Sequence, residues 1–440
     1  QNQRLSLGGA GNVARNVASL GGEAVLIGLA GRDAMAGALQ ALVAETPRIV
    51  DRLVKSADRP TTCKTRYVAG HQQIMRVDEE RVHALEPAEQ DALLAAIEQI
   101  MPAVDAVVVS DYGKGVISRK ILSTVTSRAR ARRIPVFVDP KHDDFRRYRG
   151  ATCITPNLME LARAARMPVA TDAEVIGAAT KALRDAQAAA ILATRSEKGM
   201  MLVEASGEVH IESARAREVF DVSGAGDTVI AVLALAHAGG HTLPDAMRLA
   251  NTAAGIVVGK LGTAAVELDE LILELSREAR QHDVGQDKVY SAAEAETLTR
   301  QWKSRGLGVG FTNGCFDILH PGHVTLLAKA RQECDRLIVA LNSDASVSRL
   351  KGPQRPINPL ADRTAVIAAL ASVDAVISFD DDTPLALITR LRPDVLIKGA
   401  DYTVETVVGA PEVQATGGRV ALIDLVEGHS TTRTIGRIYG

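Results

Sequence analysis

The chain has 440 residues, too many for one ordinary domain, so two or three domains are expected. Its 51 Lys and Arg residues nearly balance 53 Asp and Glu residues. The net charge of −2 excludes the basic excess typical of proteins that bind nucleic acid or membrane surfaces. No apolar run reaches membrane-spanning length and no signal-peptide pattern is visible, so the sequence predicts a soluble, cytoplasmic protein. A hydrophobic content of 46% with only 3% aromatic residues favours α/β layers.

Residues 8–22 are typical of a glycine-rich loop that opens a short helix. Asn12 and Asn16 are four residues apart, so on this helix both side chains can point at one ligand. In isolation, Asn12 could equally be a helix N-cap. A strand is predicted at residues 24–29. Because the chain begins at Gln1 and enters this motif almost at once, we expect the natural protein to have residues before it.

Residues 62–78 alternate weakly around a glycine turn, which predicts a β-hairpin. The hairpin carries three cations, Lys64, Arg66 and Arg76. If it covers an active site, these cations suit an anionic substrate; otherwise they are ordinary edge-strand charges. The same hairpin could also serve as a dimer interface.

Four strands are predicted in the middle of the first half, each followed directly by a polar cluster. Open α/β sheets bind ligands at the carboxyl ends of their strands, so this regularity indicates a site at one edge of a sheet. The strands and their clusters are residues 106–110 with 111–115, 135–138 with 139–141, 153–155 with 156–160, and 190–193 with 194–199.

Residues 221–228, Asp-Val-Ser-Gly-Ala-Gly-Asp-Thr, run straight into an apolar helix-length segment at 229–238. Such a loop delivers free backbone N–H groups and the positive end of a helix dipole to an anion. Gly224 and Gly226 let a phosphoryl group approach the backbone, and Asp227 can accept a proton from an attacking hydroxyl. The pattern indicates phosphoryl transfer from a nucleoside triphosphate to an alcohol. An Asp N-cap behind a glycine turn is the simpler alternative.

Residues 277–291 are polar and lack apolar periodicity, which predicts a domain boundary. The strand–helix alternation then restarts, with a strand at 307–312 and a helix at 324–334. His320 and His323 flank a Pro-Gly turn before this helix, where two imidazoles and free N–H groups can hold a phosphate. A zinc site is the weaker interpretation, because no third ligand is suitably spaced. Further strands are predicted at residues 337–341, 375–378, 395–397 and 419–425.

Taken together, the first half resembles the ribokinase family of sugar kinases, with residues 8–16 as its first signature and 221–228 as its second. The resemblance implies that Asp227 is the catalytic base. It implies an anion hole of Gly224, Ala225 and Gly226, and sugar contacts from Gly8, Gly9, Asn12 and Asn16. Glu160 would lie near a magnesium ion. The ATP contacts implied are Asn157, Leu158, Met159, Glu160, Thr194, Ser196, Gly199 and Asn251.

The second half resembles the cytidylyltransferase-like nucleotidyltransferases, whose HxGH signature it carries at 320–323. That resemblance implies that His320 and His323 are catalytic and that a sugar phosphate attacks the α-phosphate of a nucleoside triphosphate. Residues 430–432 look like the start of the C-terminal signature of this family. The nucleotide contacts we predict are Thr312, Asn313, Gly314, Phe316, Asp317, Gly322, Lys351, Arg355, Ser430, Thr431 and Thr432.

Both halves in this order, with residues 110–115, 258–262 and 312–317, resemble the bifunctional heptose kinase/adenylyltransferases of lipopolysaccharide precursor synthesis. The resemblance implies phosphorylation of D-glycero-β-D-manno-heptose 7-phosphate at O1, and conversion of heptose 1-phosphate into ADP-heptose. ATP is then the co-substrate of both domains, Mg²⁺ the cofactor and the sugar phosphates the other ligands, and the resemblance favours a homodimer. The expected architecture is a ribokinase-like three-layer α/β domain (1–280), a linker (281–290) and a smaller Rossmann-like nucleotidyltransferase α/β domain (291–440).

The sequence departs from these families at three points. The first strand of the kinase family, with an Asp that contacts the sugar, is absent, and Ser223 stands where Thr is usual. The basic residue expected after the last signature is displaced, with Arg433 or Arg437 as candidates. Two alternatives stay open: another sugar or nucleoside kinase fused to a transferase that uses CTP or ATP, and a catalytically silent sugar-phosphate sensor.

Overall fold

The computed structural model describes residues 5–69, 72–215, 221–260, 262–280, 287–400 and 402–424. The chain divides into two compact units, residues 1–271 and 272–440. Within the described residues, no helix combines the length and the apolar character needed to cross a bilayer.

The first unit alternates strands and helices along the chain. Its strands are β1 (Ala24–Ala30), β2 (Ile49–Lys55), β3 (Cys63–Ala69), β4 (Gln72–Glu79), β5 (Val107–Ser110), β6 (Val136–Asp139), β7 (Cys153–Ile154), β8 (Ala190–Thr194), β9 (Met200–Glu204) and β10 (Val209–Glu212). Its helices are α1 (Ala10–Ser19), α2 (Ala34–Glu45), α3 (Pro87–Ile100), α4 (Arg119–Arg132), α5 (Leu158–Ala165), α6 (Asp172–Ala186), α7 (Ala225–Ala238) and α8 (Leu243–Val257).

A six-stranded sheet organises the first unit, in the order β10-β9-β8-β7-β6-β5. Strands β5 to β8 are parallel, while β9 and β10 are antiparallel additions at one edge. Side chains alternate between the two faces of the sheet. On β6, Val136 and Val138 join the core with α4 and α6, whereas the Phe137 ring meets His237 of α7 on the opposite face. Helices therefore cover both faces, which confirms the three-layer prediction.

The remaining strands of the first unit form two small sheets. β1 and β2 pair in parallel, and β3 and β4 form the antiparallel hairpin predicted at residues 62–78. In this hairpin Arg66 lies directly opposite Arg76. Lys64 and Arg66 are two residues apart on β3, so all three predicted cations share one face of the hairpin.

The second unit is a smaller parallel α/β structure. Its strands are β11 (Val309–Gly314), β12 (Arg336–Asn342), β13 (Ala375–Phe379), β14 (Val395–Gly399) and β15 (Arg419–Ile423), all parallel in the order β13-β12-β11-β14-β15. The helix α9 (Leu268–Arg280) comes before these strands in the chain. The others are α10 (Ala292–Ser304), α11 (Pro321–Gln332), α12 (Asp344–Lys351), α13 (Leu360–Ala368), α14 (Leu385–Leu391) and α15 (Ala410–Ala415).

The chain order of the strands reverses at β11, the central strand of the second sheet. In open parallel sheets, ligands bind at the carboxyl ends of the strands at such a reversal. The loop at 315–320, which leaves β11 and enters α11, therefore lies where a ligand site is expected.

The boundary region differs from the predicted linker (281–290) at its C-terminal end. α9 continues to Arg280, and residues 281–286 lie outside the described residues. Val289 forms a parallel bridge with Val376 of β13, and the N–H of Tyr290 donates to the carbonyl of Val376. Tyr290 is only 5% exposed. The bridge of Val289 and the burial of Tyr290 place residues 289–290 in the second unit's structure rather than in a free linker.

Candidate active sites

The polar clusters that follow β5, β6, β7 and β8 come together at one edge of the first sheet. With the start of α7 they line a cleft of about 240 Å³. Because these strands are parallel, their carboxyl ends meet at the same edge. The cleft-lining residues are Tyr112, Asp139, Thr155, Asn157, Glu160, Thr194, Gly224, Gly226, Asp227 and Val229.

Asp227 is buried at the bottom of this cleft, with 6% of its surface exposed. The amide Nδ2 of Asn12 donates to its Oδ2 over 2.9 Å, and the Tyr112 hydroxyl donates to its Oδ1 over 2.8 Å. Burial raises the pKa of Asp227, and these two hydrogen bonds and the charge of Lys64 oppose that rise. Asp227 is thus a carboxylate of increased basicity, held in one orientation by two donors.

The start of α7 excludes the alternative in which Asp227 is only an N-cap. The helix begins at Ala225 and its N-cap is Gly224, whose φ of 85° is left-handed. Asp227 lies in the first turn, so its side chain is free to face the cleft. A Cβ on Gly224 would lie 2.8 Å from the amide nitrogen of Asn12, so this position needs glycine on two grounds.

The predicted anion hole of Gly224, Ala225 and Gly226 needs one correction. The N–H of Ala225 donates to the carbonyl of Val222 over 3.3 Å, so a turn already uses it. The N–H groups of Gly226 and Asp227 belong to the first helical turn, where no intrahelical acceptor exists. These two groups, rather than that of Ala225, are therefore the backbone donors left available to a ligand at this helix N-terminus.

Asp139, at the end of β6, adds a second buried carboxyl group to the cleft. Burial, followed by repulsion from Asp227 and Glu160, raises the pKa of Asp139 to about 8, and the charge of Lys141 opposes this. Lys141 Nζ donates to Glu160 Oε1 over 3.0 Å. Three carboxyl groups and one ammonium around one cleft are a donor set suited to a divalent cation together with phosphate groups.

Asn157 and Glu160 form a reciprocal capping box at the start of α5. The Glu160 N–H donates to Asn157 Oδ1 over 2.9 Å, and the Asn157 N–H donates to Glu160 Oε2 over 3.0 Å. Between them, Leu158 packs against the core, whereas Met159 is 73% exposed. The pair therefore also has a local structural role, and Leu158 does not face the cleft.

The other predicted ATP residues lie in two different environments. Thr194 lines the cleft, while Gly199 has a φ of 82° and a Cβ there would lie 2.0 Å from the carbonyl oxygen of Glu212. Ser196 also has positive φ, at 52°. Asn251 is 3% exposed and donates to the carbonyl of Ser213 over 2.7 Å. Asn251 thus links α8 to the segment after β10.

Gly8 and Gly9 lie at the start of α1, as predicted. Gly8 is exposed, and Gly9 is the N-cap with a φ of 53°. A Cβ on Gly9 would lie 3.2 Å from the ring of Tyr112. Glycine here lets α1 approach the Tyr112 ring closely enough for Asn12 to reach Asp227.

Asn16 does not join Asn12 at the cleft, contrary to the prediction. Its Nδ2 donates to the carbonyl of Asn12 over 2.9 Å, and its Oδ1 accepts from Thr228 Oγ1 over 3.1 Å. The N–H of Val266 also donates to this Oδ1 over 3.3 Å. Asn16 is fully buried, so its amide is used to join α1 to α7.

The hairpin cations approach the acidic residues of the first unit to different extents. Lys64 Nζ lies 5.8 Å from the centroid of the Tyr112 ring, and its charge opposes the rise in the pKa of Asp227 that burial causes. Burial opposes the lowering of the pKa of Asp221, which hydrogen bonds from Ser223 and Gly262 and then the charge of Arg66 bring about. Arg76 Nε donates to Asp78 Oδ1 over 2.8 Å, so part of its charge is already compensated.

The second unit brings His320 and His323 together at the start of α11. His320 is the N-cap, and the two rings stack with centroids 3.8 Å apart and planes 15° apart. Burial, and then the neighbouring His320, lowers the pKa of His323 to about 4. At neutral pH His323 is therefore uncharged. The rings of His320 and His323 each place an N–H group near the N-terminus of α11. Among the described residues, neither histidine belongs to a group of three metal ligands.

Asp317 and Arg355, both predicted to contact nucleotide, are bonded to each other. Arg355 Nε donates to Asp317 Oδ2, and Asp317 Oδ1 accepts from the N–H groups of Ile357 at 2.7 Å and Asn358 at 3.0 Å. Asp317 is 2% exposed. Its oxygens are occupied by protein donors, so its role in the structure is to fix the 355–358 loop beside the histidines. This corrects its assignment as a direct contact.

The other predicted transferase residues lie around the same loop. Thr312 is buried in β11, Asn313 and Gly314 end that strand, and Gly322 is buried in α11. The ring of Phe316 meets His323 edge to face at 5.1 Å. Lys351 ends α12, and its charge opposes the rise in the pKa of Cys315 that burial causes. The predictions for Ser430, Thr431 and Thr432, and for Arg433 or Arg437, fall outside the described residues.

Arg363 supports the second site and was not predicted. Its guanidinium is fully buried and donates to the carbonyls of Cys315 at 2.7 Å and Asn342 at 2.9 Å, and to Asp344 at 2.6 Å. It ties the ends of β11 and β12 together. A single arginine within a predicted helix is typical of a surface charge, so the sequence did not indicate that Arg363 would be buried.

Tyr112, Asp139 and Lys141 were also missed as individual residues in the first site. They lie in the polar clusters that follow β5 and β6. The position of these clusters after buried strands was the available signal, but it did not tell which member faces the cleft.

The two halves match two different family models. The model of the pfkB family carbohydrate kinases matches residues 1–270, and the cytidylyltransferase-like model matches residues 311–429. Each match contains one of the two sites described above.

Curated relatives match nearly the whole chain. A protein of Gluconacetobacter diazotrophicus named "Bifunctional protein HldE" is 58% identical over 98% of this chain and 89% of its own length. Proteins of the same name from Granulibacter bethesdensis and Rhodospirillum rubrum are 55% and 49% identical. They match 98% and 100% of this chain and 90% and 88% of their own lengths.

Solved structures resemble the first unit in fold. Phosphofructokinase-2 from Escherichia coli, in complex with potassium, superposes with a TM-score of 0.55 at 21% identity and covers 64% of this chain and 90% of its own. Ribokinase from Giardia lamblia gives a TM-score of 0.53 at 21% identity, over 63% and 92%. At these identities the likeness concerns the fold.

We predict that Asp139→Asn changes the pH dependence of stability. The folded chain keeps the Asp139 proton up to about pH 8, whereas an unfolded chain loses it near the ordinary value of 3.8. The stability from this difference is present below pH 4 and is lost as the pH rises to 8. The stability of the Asn variant relative to wild type should therefore rise between pH 4 and 8 and level off above.

The measurement is the thermal unfolding midpoint in magnesium-free buffer across this pH range. Asp143→Asn is the control, because the Asp143 side chain is 60% exposed and pairs with Arg163 at the surface. Parallel pH profiles for the Asp139 variant and wild type would contradict the assignment of a buried, protonated Asp139.

Proposed function

This chain belongs to the family of bifunctional HldE proteins, with a pfkB family carbohydrate kinase followed by a cytidylyltransferase-like domain, and from this premise we propose its two reactions. The first unit transfers the γ-phosphoryl group of ATP to O1 of D-glycero-β-D-manno-heptose 7-phosphate. The second joins the resulting heptose 1-phosphate, after loss of the 7-phosphate by a separate phosphatase, to AMP. The product of the second reaction is ADP-heptose.

The buried Asp227 supports the kinase proposal most strongly. As the O1 hydroxyl attacks the γ-phosphorus, a new O1–P bond forms, the bond to the β-phosphate oxygen breaks, and the O1 proton passes to Asp227. Asn12 and Tyr112 each occupy one lone pair of its carboxylate, so each oxygen keeps a second lone pair for the substrate proton. The N–H groups of Gly226 and Asp227 stabilise the transferred phosphoryl oxygens.

Asp139 and Glu160 are the residues we propose for Mg²⁺ beside the ATP phosphates. The fit rests on the donor set, because Asp139, Glu160 and Asp227 line the same cleft and Lys141 contributes one ammonium group there. When bound, Mg²⁺ neutralises the charge of the phosphates. Lys141, already bonded to Glu160, is placed to contact an ATP phosphate oxygen. Thr194 and Asn157 line the same cleft.

In the second unit, an oxygen of heptose 1-phosphate attacks the α-phosphorus of ATP and pyrophosphate leaves. His320 and His323, at the N-terminus of α11, supply N–H donors to the phosphate oxygens that gain charge in the transition state. Arg363 and Asp317 position the loops around them. Lys351, at the end of α12, and Arg355, in the 355–358 loop, are proposed to contact the triphosphate.

Two other functions remain open to test. A different sugar or nucleoside could be the kinase substrate, or CTP the nucleotide of the second unit. A sensor without catalysis would have no need of a carboxylate held by two donors or of two stacked imidazoles at a helix N-terminus. The intact site residues therefore favour the enzyme.

Product analysis by mass spectrometry, on wild type and on the Asp227→Asn variant, tests the proposal. Wild type with Mg-ATP should convert heptose 7-phosphate to the bisphosphate, and heptose 1-phosphate to ADP-heptose. The Asn variant keeps the shape of the side chain but cannot accept the proton, so we expect kcat of the kinase to fall by about 10²–10⁴. ATP binding and ADP-heptose formation by the same variant are the internal controls. If wild type forms no bisphosphate but phosphorylates another sugar, that sugar rather than the heptose is the substrate of the kinase.

We predict that His323→Ala lowers kcat of the adenylyltransferase by about 10²–10³, the loss typical of one transition-state donor. The kinase rate of this variant should stay at the wild-type value, because His323 lies in the other unit. Pyrophosphate release and bisphosphate formation are measured on the same preparation. An unchanged adenylyltransferase rate would remove His323 from the mechanism.

The shared face of Lys64, Arg66 and Arg76 supports a role in holding the 7-phosphate of the sugar. We expect Arg66→Glu to raise the KM for heptose 7-phosphate at least tenfold and to leave the KM for ATP nearly unchanged. Steady-state kinetics with each substrate varied in turn measure both constants. Equal increases in the two constants would show a general effect on the fold instead.

We also propose that the hairpin mediates formation of a homodimer. Several apolar side chains are exposed on it: Tyr67 at 51%, Ile74 at 67%, Met75 at 50% and Val77 at 39%. Such a concentration of exposed apolar surface marks an association site. Sedimentation equilibrium should give the dimer mass for wild type and the monomer mass for Ile74→Glu. The control is Val82→Glu, at a site outside the hairpin that is 59% exposed; a monomeric wild type would refute the proposal.

A further inference from the structure

The β9–β10 hairpin of the first unit carries three potential metal ligands away from the cleft. Glu204 ends β9, Glu208 lies in the turn, and His210 is the second residue of β10. One ligand atom from each side chain lies within 4.8 Å of the other two. None of the three lines the proposed kinase cleft.

The distances between these ligand atoms suit a tetrahedral zinc ion. His210 Nε2 lies 3.2 Å from Glu204 Oε1 and 4.0 Å from Glu208 Oε2. Two ligands bound to tetrahedral zinc at about 2.1 Å are roughly 3.4 Å apart. Glu204 and His210 are thus already at ligand spacing. Glu208, whose side chain is 70% exposed, needs only a small movement to complete the set.

His210 Nε2 supplies a second and independent observation. This atom is shielded from solvent and makes no hydrogen bond, although a carboxylate oxygen is 3.2 Å away. The nitrogen is therefore not aligned with Glu204 as a hydrogen-bond donor would be. It lies between two carboxylates, where a cation would satisfy the nitrogen lone pair and both negative charges at once.

We propose that Glu204, Glu208 and His210 bind one Zn²⁺ ion, with water at the remaining position. An imidazole and two carboxylates are donors that zinc accepts, whereas Mg²⁺ prefers oxygen ligands alone. The ion cross-links the two strands of the hairpin next to its turn. It differs from the Mg²⁺ proposed for the cleft in ligands and in place.

The hairpin connects this site to the nucleotide side of the kinase. At its other end the carbonyl of Glu212 packs so closely on Gly199 that a Cβ there would lie 2.0 Å away. The next residue, Ser213, accepts a hydrogen bond from Asn251. A zinc ion that fixes β10 therefore stabilises the strand against which the 196–199 loop is packed.

The test begins with removal of any bound metal from the full chain. The metal-free protein is then titrated with Zn²⁺ alone in an isothermal calorimeter. Wild type should bind one zinc ion more than His210→Ala. Glu208→Gln should weaken binding at that site by about 10–100-fold, the usual effect of losing one ligand group. The thermal midpoint of wild type should rise with Zn²⁺, and that of His210→Ala should rise less.

His241→Ala is the matched control, because it removes an exposed histidine of the same unit that lies outside this group of ligands. This variant should keep both the extra zinc ion and the thermal shift. Equal stoichiometry and affinity in wild type and His210→Ala would overturn the proposal. So would an equal loss of zinc binding in His241→Ala, because that result would identify nonspecific binding to surface imidazoles.

Discussion

The first unit depends on keeping one carboxylate, Asp227, buried and correctly oriented. A buried charge is costly unless hydrogen bonds replace the lost water. Here the two donors come from distant parts of the chain, Asn12 on α1 and Tyr112 after β5. Asn16 in turn joins α1 to α7, which carries Asp227. The orientation of Asp227 therefore depends on the packing of α1 against α7, and a change in either disturbs the other.

The two units combine the same backbone feature, a helix N-terminus, with different kinds of ionisable side chain. Both place the N-terminus of a helix, α7 or α11, beside the polar clusters of a parallel sheet. The first surrounds it with carboxyl groups, which suits proton transfer and a magnesium ion. The second surrounds it with two imidazoles, one of them uncharged because burial lowers its pKa to about 4. A kinase needs a base, whereas nucleotidyl transfer from an ionised phosphate needs only donors for the developing charge.

Several predicted residues turned out to support the sites indirectly. Asp317 holds the loop that contains Ile357 and Asn358, and Asn251 holds the strand end near Gly199. Such residues occur within motifs because a loop that contacts phosphate must itself be held in place. A sequence pattern indicates that a motif is present. It does not separate the side chains that face the ligand from those that face the protein.

The sequence by itself determined the α/β class, the hairpin at 62–78, the strands with polar clusters at their ends, and both helix N-terminal motifs. These are local features, set by periodicity and by glycine at particular backbone positions. Only the tertiary structure decided that Tyr112 and Asn12 share Asp227, that Ala225 already uses its N–H, and that Arg363 is buried. These facts depend on which distant segments meet, and on how much water and charge surround each group where they do.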